Sequence, residues 1–108
     1  MERDAIERLR AQIGGPRDGA LLRFGLGQAL LAAGDAAAAA QAFRDALGFE
    51  PDYSAAHKLL GKALEAAGDR AAAAEAYRRG IEVAARRGDR QAEKEMRVFL
   101  RRLERAGG

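Results

Sequence analysis

The chain of 108 residues contains no cysteine, no tryptophan, no asparagine and no threonine, and it has one serine (Ser54) and one histidine (His57). Without cysteine there are no disulfides, no thiolate zinc sites and no thiol catalysis, which agrees with a reducing compartment. So few hydroxyl and imidazole groups leave the inventory of nucleophiles, bases and metal ligands almost empty, and no enzyme, cofactor or metal site is expected. Long apolar runs are missing too. The uncharged stretch from Ala36 to Ala42 falls far short of the roughly 20 residues that a membrane span requires, so no membrane role is expected. The charged opening Met1-Glu2-Arg3-Asp4 is followed by no apolar run, so no secretory signal is read and a cytoplasmic protein is expected.

What is present is alanine and charge. Of the 48% hydrophobic residues about half are the 27 alanines, so the core has to come from closely packed helical backbones carrying few large side chains. The 19 basic and 16 acidic residues, net +3, are finely interspersed in the manner of solvated helix faces. Arginine outnumbers lysine 16 to 3, which together with the alanine excess points to a GC-rich bacterial genome.

The chain repeats itself every 34 residues. Leu26–Arg44 falls on Leu60–Arg78 with 14 of 19 positions identical, including Leu26 on Leu60, Gly27 on Gly61, Gly34-Asp35 on Gly68-Asp69 and Ala39 on Ala73, with Phe43 on Tyr77 as a conservative match. Each unit reads as two helices and a turn. Gly34 and Gly68 stand where a helix stops in a left-handed conformation, and Asp35 and Asp69 then cap the next helix. The same frame places Ala5, Leu9 and Ile13 on Ala39, Phe43 and Leu47, so the first helix reads as the degenerate second half of a missing unit. Asp18 and Asp52, also 34 apart, are expected to cap the first helix of each unit. In the last helix Ala92, Met96, Phe99, Leu100 and Leu103 form one apolar stripe, about one residue out of frame. Six helices are predicted, at 2–13, 19–33, 36–49, 53–67, 70–87 and 90–105. They form one domain: an N-terminal capping helix, repeat one over 19–52, repeat two over 53–87, and a C-terminal capping helix.

These residues resemble the tetratricopeptide repeat, with its pattern W-x2-L-G-x2-Y, A-x3-F, P. The first unit reads Arg23-x2-Leu26-Gly27-x2-Leu30, Ala39-x3-Phe43, Pro51, and the second His57-x2-Leu60-Gly61-x2-Leu64, Ala73-x3-Tyr77. Arg23 and His57 replace the early aromatic, Leu30 and Leu64 the second one, and the second unit lacks the closing proline, so its last helix should run on to Arg87. The resemblance implies an all-α, right-handed superhelical stack of antiparallel helix pairs. Small glycine and alanine let paired helices approach, and Phe43 and Tyr77 fill the gap between neighbouring pairs. Two full units with two caps are near the minimum for such a stack.

The resemblance further implies a non-catalytic adaptor that holds a peptide or helix of another protein in a groove lined by the first helix of each pair. Groove positions on the first such helix are Leu21, Phe24, Gln28 and Leu31; on the second they are Ala55, Lys58, Lys62 and Glu65. An acidic segment or a chain-terminal carboxylate beside an apolar residue complements that surface, and Lys94, Arg97 and Arg101 extend its basic side. Each position also has a plainer reading. Lys58 and Lys62 can be solvated and paired with neighbouring acids, Phe24 and Leu31 can be core beneath the N-terminal helix, and Arg97 and Arg101 can be a solvated cap. Family members that grip terminal carboxylates use Lys, Asn and Arg; with no asparagine that clamp is incomplete here. His57 reads as a half-buried structural filler. Gly25 and Gly27 lie within a helical pattern and are read as helix–helix contact points rather than a phosphate loop. The alternative function is weak, nonspecific nucleic-acid binding through Arg86-Arg87, Arg90, Arg101-Arg102 and Arg105; no aromatic residues are interleaved there for base stacking, and the expectation is against it. The chain is expected to be a monomer or a weak homodimer.

Overall fold

Two aspartates 34 residues apart start two equivalent helices. Asp35 accepts a hydrogen bond from the Ala38 amide at 3.2 Å and Asp69 from the Ala72 amide at 3.1 Å, satisfying donors that a helix start leaves free. One residue upstream, Gly34 and Gly68 have φ of +87° and +85°, where a Cβ would be strained. In the computed structural model, which describes residues 2–107, this punctuation gives six helices: α1 (Glu2–Arg10), α2 (Ala20–Ala32), α3 (Ala36–Phe49), α4 (Ser54–Ala66), α5 (Arg70–Arg87) and α6 (Arg90–Gly107). No strand occurs among the described residues. Without a proline to stop it, α5 reaches Arg87 as expected.

Two expectations are corrected. The first helix ends at Arg10 rather than residue 13, because the Gln12 and Ile13 amides bond to carbonyls three residues back, Leu9 and Arg10, tightening the chain into a turn ahead of Gly14-Gly15-Pro16. Asp18 and Asp52 do not cap α2 and α4, whose N-cap positions are Gly19 and Tyr53 without side-chain caps. A charged partner outcompetes the helix amides for each carboxylate. Asp18 pairs with Arg23 Nε at 2.8 Å and also accepts from the Gly14 and Gly19 amides; Asp52 pairs with Arg86 at 3.3 Å. The Arg23 hydrogen bond, helped by the Gly14 amide, holds the Asp18 carboxyl well below the usual carboxylate range. Arg23, standing where the family has an aromatic, also reaches Asp45 of α3 at 2.9 Å and so ties the α1–α2 loop to the pair it precedes.

Each helix packs on the next. Phe43 and Tyr77 are fully buried, and each ring lies so close over a glycine of its own pair, Gly27 and Gly61, that a Cβ there would overlap it. The expectation that Phe43 fills the gap between neighbouring pairs is corrected here: its ring lies on Gly27 and fills space inside its own pair. Tyr77 does the same and also reaches the next element, tilting against Phe99 of α6 at 5.6 Å. The α5–α6 contact follows the same order: the small residue is Gly80 on α5, and Met96 of α6 fills the space. Burying side chains of this size contributes roughly 1.5–3 kcal/mol each, which is how so alanine-rich a sequence keeps a core. Helices α2, α4 and α6 touch in succession, whereas α3 and α5 do not. The α2–α4–α6 side is therefore the inner, concave face, and a groove opens between α3 and α5 on the outer one.

Candidate functional site

The concave face begins with α2. Core packing takes Leu22, Leu26, Gly27 and Leu30, which leaves the opposite side of the helix outward: Leu21 is 77% exposed and Gln28 is exposed. Phe24 and Leu31 are half-buried and pack against the core. Phe24 stacks on Tyr53 at 4.8 Å and tilts against Phe43 at 5.7 Å. Arg23 is the sole charged residue of α2, and it is turned away to Asp18 and Asp45. The outward face of α2 is consequently uncharged.

On α4 the structure gives the expected groove residues other partners. Lys58 forms an ion pair with Glu95 of α6 at 3.1 Å, and Lys62 places its ammonium 3.6 Å from the centre of the Phe99 ring. Glu65 accepts a hydrogen bond from the Tyr77 hydroxyl; burial, with this hydrogen bond in second place, raises the Tyr77 pKa. Ala55 is half-buried. The structure thus brings Lys58 and Lys62 together on one helix face, but as anchors for α6. Glu95 and Phe99 were not singled out as their partners from sequence, because the one-residue slip of α6 against the repeat frame hides which positions face α4. On α6 itself Arg97 pairs with Glu93 at 2.9 Å, while Lys94 and Arg101 are exposed. Val98, off the apolar stripe, is 41% exposed.

His57 is buried, Nε2 hydrogen-bonds to the Pro51 carbonyl at 3.0 Å, and Nδ1 has no hydrogen-bond partner among the described residues. A carbonyl can only accept, so Nε2 carries a proton and donates; burial pushes the ring's pKa down, favouring the neutral form. Ser54 donates to Asp89 at 2.7 Å, so the serine and the histidine are engaged separately and form no nucleophile–base pair. No group of three or more potential metal ligands occurs among the described residues, and no described helix is long and apolar enough to cross a membrane.

A second surface escaped the sequence reading. The groove between α3 and α5, about 560 Å³, is floored by Leu60 and Leu64 of α4 and walled by Arg44 and Leu47 on one side and Glu75, Arg79, Glu82 and Val83 on the other. Arg79 is held by Glu75 at 3.0 Å. Helical periodicity assigns each of these residues to its own helix face, but the separation of α3 from α5 belongs to the packing of the pairs and has no local signature.

Comparison with known proteins agrees with this architecture. The tetratricopeptide repeat family model matches residues 3–54 and 24–92. A TPR repeat-containing protein of Pseudomonas aeruginosa is 54% identical over 101 residues, an alignment that takes in 94% of this chain and 96% of that protein. A solution structure of a Bordetella parapertussis protein superposes with a TM-score of 0.81 at 46% identity, covering 94% of this chain and 88% of that one. The tetratricopeptide repeat domain protein of Salinibacter ruber, also a solution structure, gives 0.74 at 29% identity, over 82% of this chain and 89% of that one. Proteins with this fold generally serve as protein–protein interaction modules, and typically as non-catalytic scaffolds. On its repeat, its helix pairs and these likenesses, the chain belongs to the tetratricopeptide repeat family.

Proposed function

We propose that the protein is a non-catalytic adaptor whose concave face holds a helix or extended segment of another protein. Leu21, Phe24 and Leu31 supply the apolar contacts, Gln28 an amide that fixes register, and Lys58, Lys62 and Glu65 the charged flank. The observation that carries this reading is Leu21, a large apolar side chain 77% exposed on a helix face without charge. Removing that much apolar surface from water favours association, and the surrounding half-buried Phe24 and Leu31 widen the contact. An acidic segment reaches the lysines only by competing with Glu95 and Phe99. Affinity therefore rests first on the α2 ridge, and charge adjusts it. The separate engagement of Ser54 and His57 supports a role without catalysis.

The test is capture of binding proteins from a nuclease-treated lysate of the source organism, with three baits: wild type, Leu21→Glu on the concave face and Arg44→Glu in the groove between α3 and α5. Both substituted positions are exposed, so both variants keep their fold. Proteins retained by wild type and Arg44→Glu but lost with Leu21→Glu are the expected result. The reverse pattern moves the site to the outer groove, and the same proteins on all three baits overturn the assignment.

A further inference from the structure

We infer that the outward face of α2 joins a second copy of this chain in an antiparallel, two-fold contact. This rests on the reading of that face as a binding surface and names one occupant for it. Leu21, Gly25, Gln28 and Ala32 follow one another at intervals of four, three and four, so they lie in one line along the helix. Gly25, partly exposed, leaves open space beside it: a Cβ built there meets nothing within 4 Å. Leu21, Gln28 and Ala32 are exposed. Crossed antiparallel about a point midway between Gly25 and Gln28, two such helices match large to small. Leu21 covers Ala32 of the second copy, Gln28 lies in the open space over Gly25 of the second copy, and the two-fold repeats both contacts.

Charge argues the same way. In a two-fold contact a residue near the axis meets its own copy, so a charge there repels itself; the line on α2 has none, in contrast to the nine charged residues of α6. The ends are complementary. Arg17, exposed and without an ion pair among the described residues, precedes the N-terminus of α2, and the exposed Asp35 follows its C-terminus. Antiparallel crossing brings Arg17 of each copy toward Asp35 of the other, and it sets the two helix dipoles head to tail.

Sedimentation velocity across a concentration series tests the contact, using wild type, Leu21→Lys, and Leu21→Lys with Ala32→Glu. Within one copy positions 21 and 32 are about 16 Å apart along the helix, so the new charges in the double variant can pair only between copies. The wild type is expected to pass from monomer to dimer as concentration rises, the single variant to dimerise at least about ten-fold more weakly, and the double variant to return to within about three-fold of wild type. At concentrations low enough for all three to be monomeric they are expected to keep the same helicity and melting temperature, because both positions are exposed. A wild type that stays monomeric throughout, a dimer indifferent to Leu21→Lys, or a double variant that is not restored each overturns the proposal. The two readings fail separately. A monomer that still captures another protein through Leu21 removes the dimer and leaves the adaptor, whereas a Leu21-dependent dimer that captures nothing else removes the adaptor and leaves the dimer.

Discussion

The ammonium of Lys62 lies 3.6 Å from the centre of the Phe99 ring, against which the Tyr77 ring is tilted at 5.6 Å. A residue that the family resemblance assigns to ligand binding thus also fastens the last helix to the stack. Phe99→Leu should cost about 1 kcal/mol and Phe99→Ala about 2 kcal/mol in urea unfolding, with amide protection lost first in α6. A double-mutant cycle of Lys62→Met with Phe99→Leu should show a coupling of about 0.5–1 kcal/mol. Additive effects would mean that the lysine contributes nothing to the docking of α6 and is free for a ligand.

Gly61 is buried beneath the Tyr77 ring, whereas Gly48, also helical, has nothing within 4 Å of where its Cβ would stand. Alanine favours a helix over glycine by up to about 1 kcal/mol, so Gly48→Ala should stabilise the protein slightly. Gly61→Ala should instead destabilise it by about 2 kcal/mol, because the ring has no room to retreat. Chemical denaturation of the two variants decides the matter; a similar change in both would show that the close approach of α4 and α5 can relax.

The neutral, buried His57 makes stability depend on pH in one direction. Its pKa in the fold is lowered by burial, the Pro51 hydrogen bond opposing in part, so the unfolded chain binds the proton more readily than the native one. Above the ordinary histidine value of about 6.5 both states are neutral and this contribution to stability is fully present; below it, protonation favours unfolding. The melting temperature should therefore fall as pH drops from about 7 to 5, and His57→Phe should flatten that part of the profile. An unchanged slope in the variant would assign the dependence to other groups.

The repeat was legible because its determinants are local. Gly34 with Asp35 and Gly68 with Asp69 end one helix and start the next through backbone conformation and hydrogen bonds within a few residues, so a 34-residue self-match places both turns correctly. The same logic failed at Asp18 and Asp52. There the spacing was right, but Arg23 and Arg86 compete for the carboxylates, and in the case of Arg86 the competitor is 34 residues away.

For this protein the sequence by itself determined the class of fold, the helix pairs and the Gly34-Asp35 and Gly68-Asp69 turns, since helical periodicity and turn chemistry act over one or two turns of chain. Tertiary structure alone decided which side chains are available to a partner. Lys58 and Lys62 are engaged because α6 slips by about a residue and brings Glu95 and Phe99 against them, and Leu21 is open because none of the described residues covers it. The groove between α3 and α5 exists because the helix pairs splay on their outer side. Availability is a property of long-range packing, and long-range packing leaves no mark at any single position of the sequence.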